Sequence, residues 1–238
     1  MIDNPKILFE DDVLIVVDKP SGWITNDSQT VKNNFVLQKW LSEKFNYLLA
    51  KSVKMRSGIV HRLDKETSGV IIIAKNENAF FNLQNQFKKR LIEKNYLALV
   101  HGKVQPSTGR VDVPVGRLPW SREKFGVLPG GRQAETFYRV ISHYKKGNDI
   151  FSFLDIKPKT GRTHQIRIHL RYLGYPVVSD QLYAGRKTSK KDRLWCKRLF
   201  LHANSVSFIH PSLNELIKIE SKLPEELKKV LVSLEKIS

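Results

Sequence analysis

Residues 61–75 read HRLDKETSGVIIIAK. The first part crowds His61, Arg62, Asp64, Lys65, Glu66, Thr67 and Ser68 together, and Val70, Ile71, Ile72 and Ile73 follow Gly69 directly. An unbroken β-branched run of this kind predicts a strand buried on both faces. A polar cluster at the mouth of such a strand is either an elaborate turn or a place where chemistry happens. Two readings of Asp64 fit. Its carboxylate can cap the turn through Lys65 to Ser68, as Asp side chains do. Or it is a partly desolvated carboxylate kept ionised by Arg62 and Lys65, the setting enzymes use for a nucleophile or base.

Before this stretch, Ile7–Phe9 and Val13–Val17 are apolar runs joined by Glu10, Asp11 and Asp12, which predicts a hairpin ended by the turn Lys19-Pro20-Ser21-Gly22. Leu37, Trp40, Leu41, Phe45 and Leu48 form a helical stripe. After it, Asn76 reads as an N-cap with Glu77 in the first turn, and Phe80, Leu83, Phe87 and Leu91 predict an amphipathic helix. Residues 94–102, KNYLALVHG, read as a strand with Tyr96, Ala98 and Val100 on one face. Residues 114–132 are rich in Gly, Pro and basic side chains, with Trp120 and Phe125 among them, and two readings stand: a flap or a disordered loop. Strands resume at 134–141 and 150–156. Residues 163–173 read as a helix with Thr163 as N-cap, Gly174 just past its end and Pro176 as a stop. A strand at 216–219 precedes a helix opened by Pro224 and striped with Leu227, Val230, Leu231 and Leu234. There is no internal repeat or linker, so one α+β domain over residues 1–238 is the economical expectation.

The chain has 238 residues, ample for a substantial core, and its 41 Lys and Arg against 23 Asp and Glu give a net charge of +18. Such a surplus, spread along the chain, points to a polyanion bound by the folded surface. A membrane surface is the weaker alternative, because no apolar run approaches spanning length and no basic amphipathic helix stands out. The N-terminus has no secretory pattern and Cys196 is the single cysteine, which together predict a reducing cytoplasm. The histidines show no ligand spacing, so no metal is expected.

A second polar cluster is KTGRTHQIR, residues 159–167. Arg162 and Arg167 can be solvated surface charges. Arg167, however, lies on a helix whose other flank is apolar, where a fixed guanidinium can hold a carboxylate in a bidentate pair. At this point the motifs converge. HRLDKETSG followed by VIIIAK resembles the signature motif of the RluA-type RNA pseudouridine synthases. VVDKPSG, KNYLALVHG, the stretch from KTGRTHQIR to QLYAG, and RLFLHANSVSFIHP resemble further family segments in the same order, covering about Ile7 to Pro211.

The resemblance implies a mixed, largely antiparallel central sheet flanked by helices, with the active-site cleft across the sheet. It implies Asp64 as the essential carboxylate, Arg167 as its ion-pair partner and Tyr96 as the tyrosine lying over the target base. Arg62 matches the arginine that fills the gap left by a flipped-out nucleotide. By residue pattern alone, Tyr96 reads instead as an ordinary core aromatic of its strand. Lys19 and Pro20 are expected to support the catalytic loop from below. The implied substrate is a uridine in structured ribosomal or transfer RNA, with no cofactor, no metal, no obligate protein partner and a monomeric enzyme. Many relatives begin with an S4-type RNA-binding module; nothing before Ile7 is long enough to be one, so recognition is expected from the catalytic domain's own surface. One departure stands out: the third motif usually ends in Gly-Asp, and this chain has Ser179-Asp180, a change expected to alter packing more than chemistry. Two rival readings are a nucleoside-releasing glycosylase using Asp64 and a non-catalytic RNA-binding module.

Overall fold

In the computed structural model, which describes residues 3–27, 35–119 and 124–237, the first elements are β1 (Lys6–Glu10), β2 (Leu14–Lys19), α1 (Leu37–Lys44), β3 (Ser68–Ala74) and α2 (Glu77–Lys88). There follow β4 (Glu93–His101), β5 (Thr108–Asp112), β6 (Val115–Arg117), β7 (Phe125–Val127), β8 (Glu135–Lys146) and β9 (Asp149–Pro158). The chain continues through α3 (Gln165–Tyr172), α4 (Arg186–Asp192), β10 (Leu201–Ile209), β11 (Leu216–Glu220), α5 (Glu225–Val232) and β12 (Glu235–Ile237). These elements distribute over two compact units: Met1–Lys94 with Ala203–Ser221, and Asn95–His202 with Lys222–Ser238. Both are α+β and built on mostly antiparallel strands, the predicted fold class.

In the first unit the expected hairpin forms. The β1–β2 turn is tied by Asp11 Oδ1, which accepts from the N–H groups of Val13 and Leu14, each at 2.9 Å. β3 pairs antiparallel with β2 from Leu14↔Ala74 to Lys19↔Gly69. Every residue of β3 is buried, as its unbroken apolar run required. One core joins Val70 and Ile72 of β3 to Ala79, Phe80 and Leu83 of α2 and to Val206 and Phe208 of β10. Asn76 caps α2 as expected, its Oδ1 accepting from Ala79 N–H at 3.0 Å. Gln86 of α2 imitates a strand neighbour, donating to Ile209 O at 2.7 Å and accepting from Ile209 N–H at 3.0 Å.

In the second unit β4, β9 and β8 run antiparallel, and β8 also pairs with β5 and β12. The period of two in β4 separates two cores. Ala98 and Val100 pack with Leu154, Ile156, Ile166 and Leu170, so α3 covers that face. Leu99 packs with Phe151, Phe153, Leu227 and Val230, so α5 covers the other. α3 ends as predicted at Gly174, whose φ is +87°. Gly174 N–H bonds to Arg171 O at 3.0 Å and Tyr175 N–H to Leu170 O at 2.9 Å, the paired bonds of a Schellman motif.

Three expectations are corrected. Leu91 lies beyond α2 and is exposed, because Arg90 adopts φ +60° and the same pair of bonds closes the helix: Arg90 N–H to Phe87 O and Leu91 N–H to Gln86 O. A non-glycine in that position hides the stop from a sequence reader. Thr163 is not the cap of α3. The turn is organised instead by Gln165, whose Oε1 accepts from Thr160 Oγ at 2.7 Å and from Arg162 N–H at 3.0 Å, leaving His164 at φ +56° as the residue before the helix. The 114–132 stretch contains regular structure, since β6 and β7 pair from Val115↔Val127 to Arg117↔Phe125. Val115 is buried with Ala134 and Ile168, and Phe125 and Val127 pack on that cluster. Trp120 and Arg122 lie outside the described residues.

Candidate active site

Asp64 sits in the loop leading into β3, half-buried, with Arg62 and Lys65 exposed on either side. The backbone around it is clamped from both directions. Thr25 Oγ donates to Leu63 O at 2.8 Å and accepts from Leu63 N–H at 3.2 Å. Beyond Asp64, Gly22 N–H donates to Lys65 O at 2.8 Å and Ser21 Oγ to Glu66 O at 2.7 Å. The Lys19 ammonium is fully buried and donates to Pro20 O and Trp23 O, each at 2.9 Å, and to Lys65 O at 3.4 Å. A buried cation is costly unless its donors are satisfied, and three carbonyls meet that need here. Lys19 thus supports the loop from the end of β2, the role expected for it.

The loop is also anchored at its start and end. His61 Nε2 accepts from Ile72 N–H at 2.9 Å, so the ring is neutral with its proton on Nδ1. Burial, followed by the nearby charge of Lys94, lowers its pKa from 6.5 to about 3, in agreement with that hydrogen bond. Phe87 packs on the ring with centroids 4.9 Å apart. At the other end Gly69 has φ +121°, and a Cβ there would lie 2.2 Å from Ala203 O. Only glycine lets the backbone of β10 approach so closely.

In the second unit, Arg167 is 3% exposed on α3 and grips the wholly buried Asp180 in a bidentate pair, Nε to Oδ2 and Nη2 to Oδ1, both at 2.7 Å. Asp180 Oδ1 accepts in addition from the N–H groups of Leu182 at 2.9 Å and Tyr183 at 3.0 Å. The guanidinium lies over the Tyr183 ring, 5.1 Å from its centroid. Tyr183 OH and His164 Nδ1 are 2.9 Å apart, and the His164 ring meets Phe125 of β7 edge-on at 6.1 Å. The β6–β7 hairpin is therefore docked against the arginine's own surroundings. Tyr96, on β4, is half-buried against the cluster that contains Ile166.

Of the four residues singled out in the sequence, Arg62 and Asp64 belong to the first unit and Tyr96 and Arg167 to the second. Arg167 holds a carboxylate in a bidentate pair, and within its own unit that carboxylate is Asp180. A guanidinium has five N–H donors, so a partner for two of them does not exhaust the group. Asp180 and Tyr183 were not recognised in the sequence as functional. Their signal is an Asp followed two and three residues later by backbone donors, an Asx-type turn, close in sequence to an arginine that must be buried.

Ser179 explains the Gly-to-Ser departure. Its φ is +62°, a conformation that favours glycine, and the residue is fully buried. Its N–H donates to Asp192 Oδ2 at 2.9 Å and its hydroxyl to Cys196 O, which offsets a steric cost of about 1–2 kcal/mol. These contacts are made within the buried surroundings of Ser179 itself. Among the described residues, no group of three His, Cys, Asp or Glu side chains is arranged to hold a metal ion, and no helix is long and apolar enough to cross a membrane.

The surplus of 41 Lys and Arg over 23 Asp and Glu on an α+β scaffold fits a protein that acts on RNA. A family model described as RNA pseudouridylate synthase matches residues 13–172, and the chain belongs to that family, whose members are isomerases converting uridine to pseudouridine in RNA. It is 37% identical over 231 residues to an uncharacterised RNA pseudouridine synthase of Synechocystis, covering 96% of this chain and 68% of that protein. It is 37% identical over 233 residues to the ribosomal large subunit pseudouridine synthase D of Nitrosomonas europaea, covering 96% of this chain and 65% of the relative. The chain thus spans about two thirds of these relatives' length. The solved structure of human RNA pseudouridylate synthase domain containing 1 superposes with a TM-score of 0.76 at 26% identity, covering 99% of this chain and 89% of the human one.

Proposed function

We propose that this chain isomerises specific uridines of structured RNA, ribosomal or transfer, with Asp64 as the essential carboxylate. The observation that carries the reading is the clamped loop: hydrogen bonds from Thr25, Gly22, Ser21 and Lys19 fix the peptide groups on both sides of Asp64. Such preorganisation gives a reactive carboxylate a fixed direction of approach. In the reaction the N1–C1′ bond breaks, the uracil turns, and C5 bonds to C1′. The proton on C5 leaves to a base and N1 ends protonated, so atoms balance without oxidant or reductant.

In this proposal Arg167 is the arginine that pairs with the essential carboxylate, as the family motif implies, and Tyr96 lies over the uracil and holds it while it turns. A stacked uridine must be extruded at a cost of a few kcal/mol, and exposed Arg62 fills the vacated place. The basic surface offsets that cost through phosphate contacts, which makes binding strongly salt-dependent. The β6–β7 hairpin closes over the RNA. The name of the Nitrosomonas relative favours ribosomal RNA. The two units work as one catalytic domain, a cytoplasmic monomer in this reading.

The test is tritium release from C5-labelled uridine RNA with Asp64→Asn. Turnover is expected to vanish while RNA binding stays near wild type, and substantial release by the variant would overturn the assignment. Mass analysis of the product separates the rivals. Isomerisation leaves the strand mass unchanged and creates a carbodiimide-reactive base, a glycosylase loses the base, and a binding module does neither.

A further inference from the structure

The outward face of α2 takes no part in the reading above, yet its chemistry is specific. Phe81, Gln84, Asn85 and Lys88 recur at helical spacing and so form one stripe. With Val60 and Phe87 they line an open groove of about 420 Å³ in the first unit. Phe81 is 56% exposed on a helix whose apolar face is already buried by Phe80 and Leu83. Its ring is not left to wander: buried Phe80 meets it edge-on at 5.7 Å and 83°. More than half of the side chain remains open to solvent. Two amides, half-buried Gln84 and exposed Asn85, lie one turn further along and exposed Lys88 one turn beyond them, and exposed Lys89 and Arg90 continue the positive charge past the helix end. The groove reaches Val60, four residues before Asp64.

We propose that this groove is a subsite for a single-stranded nucleotide of the RNA flanking the target uridine, its base stacked on Phe81. Gln84 and Asn85 offer donors and acceptors to the base edge, and Lys88 with Lys89 offers charge to the adjoining phosphates. An exposed aromatic beside amides and cations matches the way proteins hold unpaired bases, whereas an apolar protein partner would be met by a wider hydrophobic surface and fewer cations. The inference rests on the proposed RNA substrate and adds a place where the strand is held away from the reacting base.

The test is fluorescence anisotropy with a labelled single-stranded RNA 12-mer carrying 4-thiouridine, followed by photo-crosslinking and peptide mapping. Phe81→Ala and Phe81→Leu are expected to weaken binding about 5- to 150-fold, the range for loss of one stacked base. Phe81→Tyr is expected to retain it, and crosslinks to fall within residues 77–90. All three variants alter an exposed side chain, and unchanged melting temperatures show that folding is intact. Affinity of Phe81→Ala and Phe81→Leu within twofold of wild type, crosslinks confined to other segments, or a Phe81-dependent self-association in place of RNA binding would each overturn the inference. Tritium release by the wild type separates the two ideas. Release with Phe81-independent binding sinks the subsite alone, and Phe81-dependent binding without release sinks the catalytic reading alone.

Discussion

Asp180→Asn tests whether the Arg167–Asp180 pair is the structural keystone of the second unit. The substitution keeps an oxygen for the N–H groups of Leu182 and Tyr183 but removes the charge facing a guanidinium that is 3% exposed. Removing one partner of a buried pair costs about 3–5 kcal/mol, because the other charge stays buried and here loses its bidentate contact. For a chain of this size each kcal/mol lowers the melting temperature by about 2–4 °C, so the expected fall is about 6–20 °C. Urea denaturation followed by tryptophan fluorescence gives the free energy directly. A double-mutant cycle with Arg167→Met and Asp180→Leu isolates the coupling, and the double variant is expected to be more stable than Asp180→Asn, since the guanidinium is removed together with its buried carboxylate. A loss below about 1 kcal/mol for Asp180→Asn would place the pair with ordinary surface ion pairs and refute the reasoning.

Other consequences can be measured on the same protein. His61 is lowered from 6.5 to about 3, so between those values the unfolded chain binds a proton that the folded one refuses; stability falls as pH drops through about 6.5, by up to about 2 kcal/mol between about pH 7 and about pH 5. His61→Gln, which can still accept from Ile72 N–H, is expected to flatten that dependence in parallel denaturation curves, and an unchanged slope would exclude His61 as its source. Gly69→Ala forces a Cβ to within 2.2 Å of Ala203 O and is expected to lose several kcal/mol or fail to accumulate as folded protein; near-wild-type melting would show that β10 can move aside. Lys19→Met leaves the carbonyls of Pro20 and Trp23 without their donor, at about 1–3 kcal/mol each, and is expected to lower kcat more than RNA affinity. Equal effects on both would make Lys19 a general stabiliser with no particular tie to the Asp64 loop. Arg167→Ala is expected to lose tritium release, and wild-type rates would remove it from the chemistry.

The elements that could be read in advance are those whose cause is local. The all-buried β3 follows from its unbroken run of β-branched residues, the two-sided β4 from its alternation, and the start of α2 from Asn76. The end of α3 follows from Gly174, because glycine advertises a left-handed turn. The end of α2 does not, since Arg90 makes the same turn at a steric cost that its sequence conceals. Neither the strand β10 nor the helix α4 has a local signal of this strength. The basic run of α4, RKTSKKD, carries too little apolar patterning to declare a helix.

The same division holds at the site. Sequence by itself determined the family to which the chain belongs, because a motif such as HRLD or TGRTHQIR is a property of neighbours along the chain. It also determined the charge that draws a polyanion. The tertiary structure alone decided what each group answers to: Asp180 under the guanidinium of Arg167, Ile72 N–H at the ring of His61, and three carbonyls around the ammonium of Lys19. A buried polar group takes its partner from whatever chain closure brings within about 3 Å, and that choice is made by packing of distant segments, which no spacing along the sequence encodes.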